Sequence, residues 1–161
     1  MKIRRATAGD IPSMMSLARA SATAAHWTEE QYSDLLSPAP GVHRLAIVAE
    51  AAPEVSNPTP PGKAEDLSGF LVARFLSPEC ELENIVVSPP ARRKGIGQQL
   101  LDALLLAARE SNIESVFLEV RESNHEARAF YEKAGFKLDG RRKSYYANPS
   151  EDAILYRRAV A

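Results

Sequence analysis

The chain has 161 residues, of which 45% are hydrophobic and 25% charged, and this length is enough for one domain with a sizeable core. Its 20 basic and 21 acidic residues balance, so no overall positive field draws the protein to nucleic acid or to anionic lipid. A single cysteine, Cys80, excludes an internal disulfide and any multi-cysteine metal cluster. We expect Cys80 to be a small strand residue rather than a nucleophile.

The N-terminus is basic, but no apolar run typical of a signal peptide follows it, and no stretch reaches the length of a membrane span. We therefore expect a cytoplasmic protein made of a single domain over residues 1–161, with no nucleic-acid partner and no membrane partner. The sequence leaves the oligomeric state open.

Seven segments have the apolar and β-branched pattern of strands, at residues 2–6, 42–50, 67–76, 82–87, 116–120, 136–145 and 153–158. Four helices are predicted between them. Thr7-Ala8-Gly9-Asp10 caps the first helix, and Thr28 with Gln31 caps the second. The third helix follows Gly95, and a capping box at Ser123-Asn124-His125-Glu126 opens the fourth. The order βααβββαβαββ predicts an α/β fold with a mixed sheet.

Two features lie outside these elements. Trp27 precedes the second helix cap, where it is either a hydrophobic staple against that helix or an aromatic residue that faces a substrate. Residues 51–66 are rich in proline and contain almost nothing apolar. We expect this stretch to be a long, flexible hairpin connection between two strands.

The turn after strand 82–87 has the character of an anion site. Ser88-Pro89-Pro90 ends the strand, and Arg92-Arg93-Lys94-Gly95-Ile96-Gly97 brings three cations and two glycines to the first turn of a helix. Up to four backbone N–H groups in that turn have no partner within the helix, which suits a phosphate group. The spacing is neither that of a P-loop nor that of a dinucleotide-binding turn. A solvated basic loop is the alternative.

Glu119 and Tyr131 form a second candidate site. Glu119 interrupts the otherwise apolar strand 116–120, and Tyr131 lies on the apolar stripe of a helix that begins a few residues later. The simpler interpretation is that Glu119 faces solvent or pairs with Arg121, and that Tyr131 is a core residue with a satisfied hydroxyl.

The element order, the Arg92-x-x-Gly95-x-Gly97 turn and the run LEVRESNHEARAFYEKAGF at 118–136 together resemble the GNAT superfamily of acyl-CoA-dependent N-acetyltransferases. More narrowly, HWTEEQY at 26–32, LEVR-x-SN at 118–124 and RRKSYY at 141–146 are similar to the ribosomal-protein-alanine N-acetyltransferases of the RimI type. Residues 51–66 look longer than is usual in that family, and Glu83 stands where an apolar residue is common. The resemblance implies the GNAT fold, a mixed sheet of about seven strands flanked by about four helices.

The same resemblance implies transfer of acetyl from acetyl-CoA, without a metal, to the N-terminal α-amine of a protein, as in acetylation of the N-terminal alanine of ribosomal protein S18. It implies that Glu119 is the general base and Tyr131 the general acid. The residues that it assigns to acetyl-CoA are Ile85, Val86, Val87, Arg92, Arg93, Lys94, Gly95, Ile96, Gly97, Gln98 and Asn124.

The candidates on the acceptor side are Glu81, Glu83, Tyr145 and Tyr146. By period two the glutamates share one strand face, where they either assist the base or pair with Arg74 or lysines. The tyrosines, beside a basic run at 141–143, suit an extended peptide. Two other functions stay open, acetylation of a small-molecule amine and a non-catalytic acyl-CoA-binding module.

Overall fold

In the computed structural model, which describes residues 2–21, 24–51 and 67–160, seven strands form one sheet in the order β1-β2-β3-β4-β5-β7-β6. The strands are β1 (Lys2–Arg5), β2 (His43–Glu50), β3 (Leu67–Leu76), β4 (Glu79–Val87), β5 (Ser115–Arg121), β6 (Lys137–Tyr146) and β7 (Glu151–Ala159). The helices are α1 (Ile11–Ala20), α2 (Glu29–Leu36), α3 (Ile96–Glu110) and α4 (His125–Lys133). Within these residues, only the pairing of β4 with β5 is parallel. The predicted order βααβββαβαββ and the mixed sheet are confirmed.

Predicted and observed element boundaries differ by a few residues. The largest shift is in β4, which begins at Glu79 rather than at residue 82, because its polar first residues pair with the end of β3. The flexible loop predicted at 51–66 lies outside the described residues, apart from Ala51.

Helix caps fix where α2 and α4 begin. The Thr28 hydroxyl accepts the Gln31 N–H at 3.2 Å and the Gln31 side chain accepts the Thr28 N–H at 2.8 Å, which is the predicted capping box. The Trp27 ring contacts the Tyr32 ring edge-on at 5.5 Å between centroids, which confirms the hydrophobic staple. The capping box predicted for the fourth helix is wrong. Asn124 is the cap there, and its side chain accepts the Ala127 N–H.

The core has one layer on each face of the sheet. Side chains from α3 and α4 pack with β2, β3, β4, β5 and β7 on one face, and those from α1 and α2 pack with β2, β3 and β4 on the other. The residues of α3 that are buried are Ile96, Leu100, Leu101, Leu104, Leu105 and Ala108, the apolar stripe expected of a helix that packs flat on a sheet. None of the helices in the described part of the chain is long and apolar enough to cross a membrane.

Strand β4 contains a bulge at Glu83. Val72 pairs with Asn84 and Ala73 with Leu82, so Glu83 has no partner on β3. Before the bulge Leu82 packs on the α3 side, and after it Val86 packs on the α1 and α2 side. The extra residue therefore inverts the alternation of faces along the strand.

Cys80 lies in the core below this bulge and is fully buried. Burial raises the pKa of its thiol to about 12. The expectation that it is a structural strand residue is confirmed.

Gly69 shows how closely β3 approaches the end of β4. A Cβ atom added there would lie 2.6 Å from the Val86 carbonyl oxygen and 3.3 Å from the Val87 Cα atom. Because these are backbone atoms, the strands must shift to admit a side chain. We expect Gly69→Ala to lower the free energy of unfolding by about 1–3 kcal/mol, the usual effect of overpacking.

Denaturant titration measures this change. Gly140→Ala is the matched control, because a Cβ at that strand position meets nothing within 4 Å. Equal stabilities of the two variants would contradict the close approach.

Candidate functional site

Strands β4 and β5 are paired only over their first residues. The three pairs are Glu79 with Ser115, Cys80 with Val116 and Glu81 with Phe117. Beyond them β4 follows β3 and β5 follows β7, so the two parallel strands separate and leave a wedge-shaped opening. Every second residue of β4 turns its N–H and C=O groups away from β3. In Asn84–Val87 these backbone groups face the opening, where the Val87 carbonyl oxygen accepts a hydrogen bond from Arg92.

The first turn of α3 lies beyond the end of β4. Gly95 caps the helix with φ of 78°, in the left-handed region that glycine adopts without strain, and Arg93 is also left-handed at 64°. In the described residues, no acceptor is found for the N–H groups of Ile96, Gly97 and Gln98. Three exposed cations, Arg92 to Lys94, surround these donors. The turn has the donors and the charge that an anion requires.

The residues predicted to bind acetyl-CoA differ in which of their atoms reach the surface. Ile96 is buried, so only its backbone reaches this surface, and the Gln98 side chain donates to Asp102 at 2.8 Å. The Arg92 Nε donates to the Val87 carbonyl oxygen at 3.4 Å, which joins the basic turn to the strand end.

Gly97 lies between the strand and helix α4. A Cβ added to Gly97 would be 3.5 Å from the Phe130 ring and 3.7 Å from the Val87 side chain. Ile85 and Val87 line this side of β4 and pack against the α3 layer, whereas Val86 is buried on the opposite face. The side chains of Ile85 and Val87 therefore lie on one face of the sheet, and that of Val86 lies on the other.

Tyr131 on α4 is buried in the layer under the opening. Its ring contacts Phe130, Phe136 and Tyr156, with centroid separations of 5.3, 5.7 and 6.4 Å. Burial raises the pKa of Tyr131 far above its usual range, and the nearby Tyr146 adds to the effect. The phenol is therefore protonated at neutral pH.

A polar network that the sequence did not indicate holds α4 on the sheet. The Arg128 Nε donates to the Tyr156 hydroxyl at 3.0 Å, and this hydroxyl donates to Glu132 at 2.7 Å. The Arg128 guanidinium also donates to the Glu122 carbonyl oxygen at 2.9 Å. Since Tyr156 contacts the Tyr131 ring, the network fixes the position of that ring.

Glu119 lies on β5 just past the point where the strands separate, and its side chain is only 14% exposed. Its carboxylate forms an ion pair with Arg142 of β6 at 3.1 Å, not with Arg121. The charge of Glu119, together with partial burial of the hydroxyl, raises the pKa of Tyr145. Burial, with a contribution from Glu119, raises the pKa of Tyr146 to about 12.

Arg121 has a structural role beside this group. It lies over the Tyr146 ring, 4.4 Å from its centroid, and donates to the carbonyl oxygens of Ala147 and Pro149 at 3.2 Å each. It also pairs with Glu151 at 3.6 Å. These contacts fasten the β6–β7 turn to β5 and hold Tyr146 near Tyr131.

Glu81 is the last residue of β4 that pairs with β5, and Glu83 lies two residues further along β4, at the bulge. Glu83 pairs with Arg44 at 3.6 Å rather than with the predicted Arg74, and burial raises the pKa of its carboxyl group. The charge of Glu81 contributes to raising the pKa values of Glu83 and Tyr145. Glu81 is therefore near both Glu83 and Tyr145. The two tyrosines are near Glu119.

An open cleft of about 640 Å³ adjoins Glu83. Its lining includes Trp27, Asp34 and Arg44, so Trp27 serves as a staple and also lines a surface cleft. Buried Asn84, which the sequence analysis did not select, donates to the Ala25 carbonyl oxygen at 3.5 Å and joins the segment before α2 to β4.

Comparison with known proteins identifies the group to which this arrangement belongs. The model of the acetyltransferase (GNAT) family matches residues 17–136. The chain belongs to this family. The GNAT match ends before β6, so the hairpin residues Arg142, Tyr145 and Tyr146 lie outside it.

Two curated relatives are similar to the chain over part of their length. The chain is 40% identical to the ribosomal protein bS18-alanine N-acetyltransferase of Haemophilus influenzae over 90 residues, which is 54% of this chain and 61% of that protein. It is 35% identical to the Escherichia coli K12 enzyme of the same name over 91 residues, 55% and 62% of the two chains. It thus spans about three fifths of the length of these two GNAT relatives.

The crystal structure of Ard1 from Thermoplasma volcanium superimposes with a TM-score of 0.79 at 31% identity, over 99% of this chain and 97% of that one. The fold is thus the GNAT fold, as the resemblance implied, and the protein is an acetyl-CoA-dependent N-acetyltransferase.

Proposed function

We propose that this enzyme acetylates the N-terminal α-amine of a protein, with an N-terminal alanine of the ribosomal protein bS18 type as its acceptor. One observation carries the proposal. Glu119 lies on β5 just past the point where β4 and β5 separate, and Tyr146 is close enough to be affected by Glu119 and to affect the buried Tyr131 of α4. The two relatives above are named for this acceptor. With a ribosomal protein as its acceptor, the enzyme would act in the cytoplasm.

The residues present fit acetyl-CoA, which supplies the acetyl thioester when it is bound. The free N–H groups in the first turn of α3 and the cations Arg92 to Lys94 would hold its pyrophosphate. Ile85 to Val87 would offer backbone groups and apolar side chains to its acetyl end, and Asn124 would contact it at the start of α4. Backbone N–H groups of β4 that face the opening would stabilise negative charge on the acetyl oxygen.

Proton transfer divides between two side chains. Glu119 accepts a proton from the acceptor ammonium group, directly or through a water molecule. An α-amine has a reference pKa of about 7.7–8.0, against about 10.4 for lysine, so it needs only a modest base at neutral pH. The Tyr131 hydroxyl, which burial keeps protonated, supplies a proton to the leaving thiolate.

Glu81 and Glu83 support the base in this scheme. The carboxyl group of Glu83, whose pKa burial raises, receives and returns protons more readily near neutral pH than an exposed glutamate. Tyr145 and Tyr146 pack against the backbone of an extended acceptor.

A direct assay tests the acceptor. Peptides that begin with alanine should be acetylated at the α-amine by acetyl-CoA, with a higher kcat/KM than free polyamines or a lysine side chain in an N-terminally blocked peptide. Mass spectrometry locates the acetyl group. Equal kcat/KM values for peptides and free amines would point instead to a small-molecule acceptor.

The acetyl-CoA site is tested by charge reversal. We expect Arg92→Glu combined with Arg93→Glu to weaken acetyl-CoA binding at least about tenfold, the effect of losing one hydrogen bond to a charged group. Calorimetry measures the affinity. The control is Lys2→Glu combined with Arg5→Glu. This variant changes the net charge by the same amount, but on edge strand β1, which two strands separate from β4. An unchanged affinity in the first variant would overturn the anion site.

The acid and the base are tested separately. Glu119→Gln should lose roughly 10²–10⁴ in kcat if Glu119 is the sole base. Tyr131→Phe should lower kcat while acetyl-CoA affinity stays near normal, because the ring contacts remain. Tyr32→Phe is the matched control, because it removes a buried hydroxyl of the other core layer that has no hydrogen-bond partner in the described part of the chain.

Steady-state and single-turnover kinetics measure these effects. A small loss in Glu119→Gln would move the base role to Glu81 or Glu83. Native turnover in Tyr131→Phe would make Tyr131 a packing residue alone.

A further inference from the structure

The ion pair between Arg142 and Glu119 occupies the carboxylate that the proposed reaction needs. Arg142 reaches this carboxylate from β6, across the intervening strand β7, with its Nε 3.1 Å from Oε1. Ala153 of β7 is in register with Arg142 on one side and with Arg121 on the other. Because Ala153 presents only a methyl group, the guanidinium has room to extend to β5.

Arg142 is held more loosely than its neighbours. Its side chain is 55% exposed, and within the described residues its only charged partner is Glu119, with the Tyr145 ring 5.3 Å away. Arg141, by contrast, pairs with Glu122 at 2.8 Å and with Asp152 at 2.9 Å, and Asp152 also accepts the Ser144 N–H. Arg141 therefore fastens the hairpin, whereas Arg142 is free to leave its partner.

An acceptor ammonium group and the Arg142 guanidinium compete for one carboxylate. A guanidinium has five N–H donors and keeps its charge at all physiological pH values, so on leaving Glu119 it can donate to other acceptors. The carbonyl groups of the first residues of a peptide are such acceptors, and they enter together with the amine. A simple amine brings the competing charge but no carbonyl group.

We propose that Arg142 determines specificity for peptide α-amines: it holds Glu119 before the acceptor arrives and yields it to acceptors whose peptide carbonyls take over its hydrogen bonds. This inference rests on the proposed function, because it takes Glu119 as the base. In this proposal Arg142 discriminates against small amines. It has no part in folding or in acetyl-CoA binding.

Two acceptors isolate this effect. One is a tetrapeptide that begins with alanine, and the other is isopropylamine, which has the alanine α-carbon and methyl group but no carbonyl. Each acceptor is compared with itself in the native enzyme and in Arg142→Gln, so the difference between the pKa values of the two amines cancels. We expect Arg142→Gln to raise kcat/KM for isopropylamine about tenfold, the effect of one hydrogen bond to a charged group.

For the peptide, kcat/KM should stay level or fall, because the variant loses the guanidinium that binds its carbonyls. The gain for isopropylamine should appear in KM rather than in kcat, since the base itself is unchanged. Arg142→Lys keeps the charge without the planar fork and should stay close to the native enzyme for isopropylamine while losing rate with the peptide.

Arg141→Gln is the matched control, and its peptide-to-amine ratio should equal that of the native enzyme. Thermal unfolding confirms that each variant is folded. An equal change for both acceptors in Arg142→Gln, or no gain with isopropylamine, would overturn the proposal. Failure of the proposed function is distinguished from this result, since it would appear as absent peptide acetylation in the native enzyme.

Discussion

The separation of β4 from β5 is the constraint on which the rest of the structure depends. A sheet that gives up strand pairing leaves backbone N–H and C=O groups without partners, and such groups are costly unless another ligand or water satisfies them. Packing elsewhere must hold the strands in place. The six buried side chains of α3 support β4, and the Arg128–Tyr156–Glu132 network anchors α4 to β7 next to β5. The opening is thus a supported gap where the acetyl thioester and the acceptor amine can meet.

The ion pairs around this gap differ in how firmly their side chains are held. Arg121 has several partners and fixes the β6–β7 turn, and Arg44 partly neutralises Glu83. Among the residues that the structure describes, Arg142 has a single carboxylate partner, at a partly exposed site where ion pairs contribute little to stability. Such a contact is suited to exchange. The same face of the sheet therefore combines fixed ion pairs that shape the site with one that a substrate can replace.

Local signals predicted the fold well, because they depend on residues near each other in the chain. The Thr28 capping box, the Trp27 staple and the apolar stripe of α3 were all readable from spacing. The partner of Glu119 was not, since β6 and β7 follow β5 in the sequence but lie in the order β5-β7-β6. The bulge at Glu83 was also missed, because it is defined by register against β3. Candidate residues were therefore predictable, and their mutual contacts were not.

The buried state of Cys80 has a practical consequence for the study of this enzyme. Acetyl transfer releases a free thiol, which is followed most simply with a colour-forming disulfide reagent. Such reagents attack thiolates at accessible sites. Cys80 is the only cysteine in the chain, is fully enclosed by the core, and has a thiol pKa raised to about 12. The native protein therefore contributes no background signal of its own, and turnover can be recorded continuously without replacing any residue.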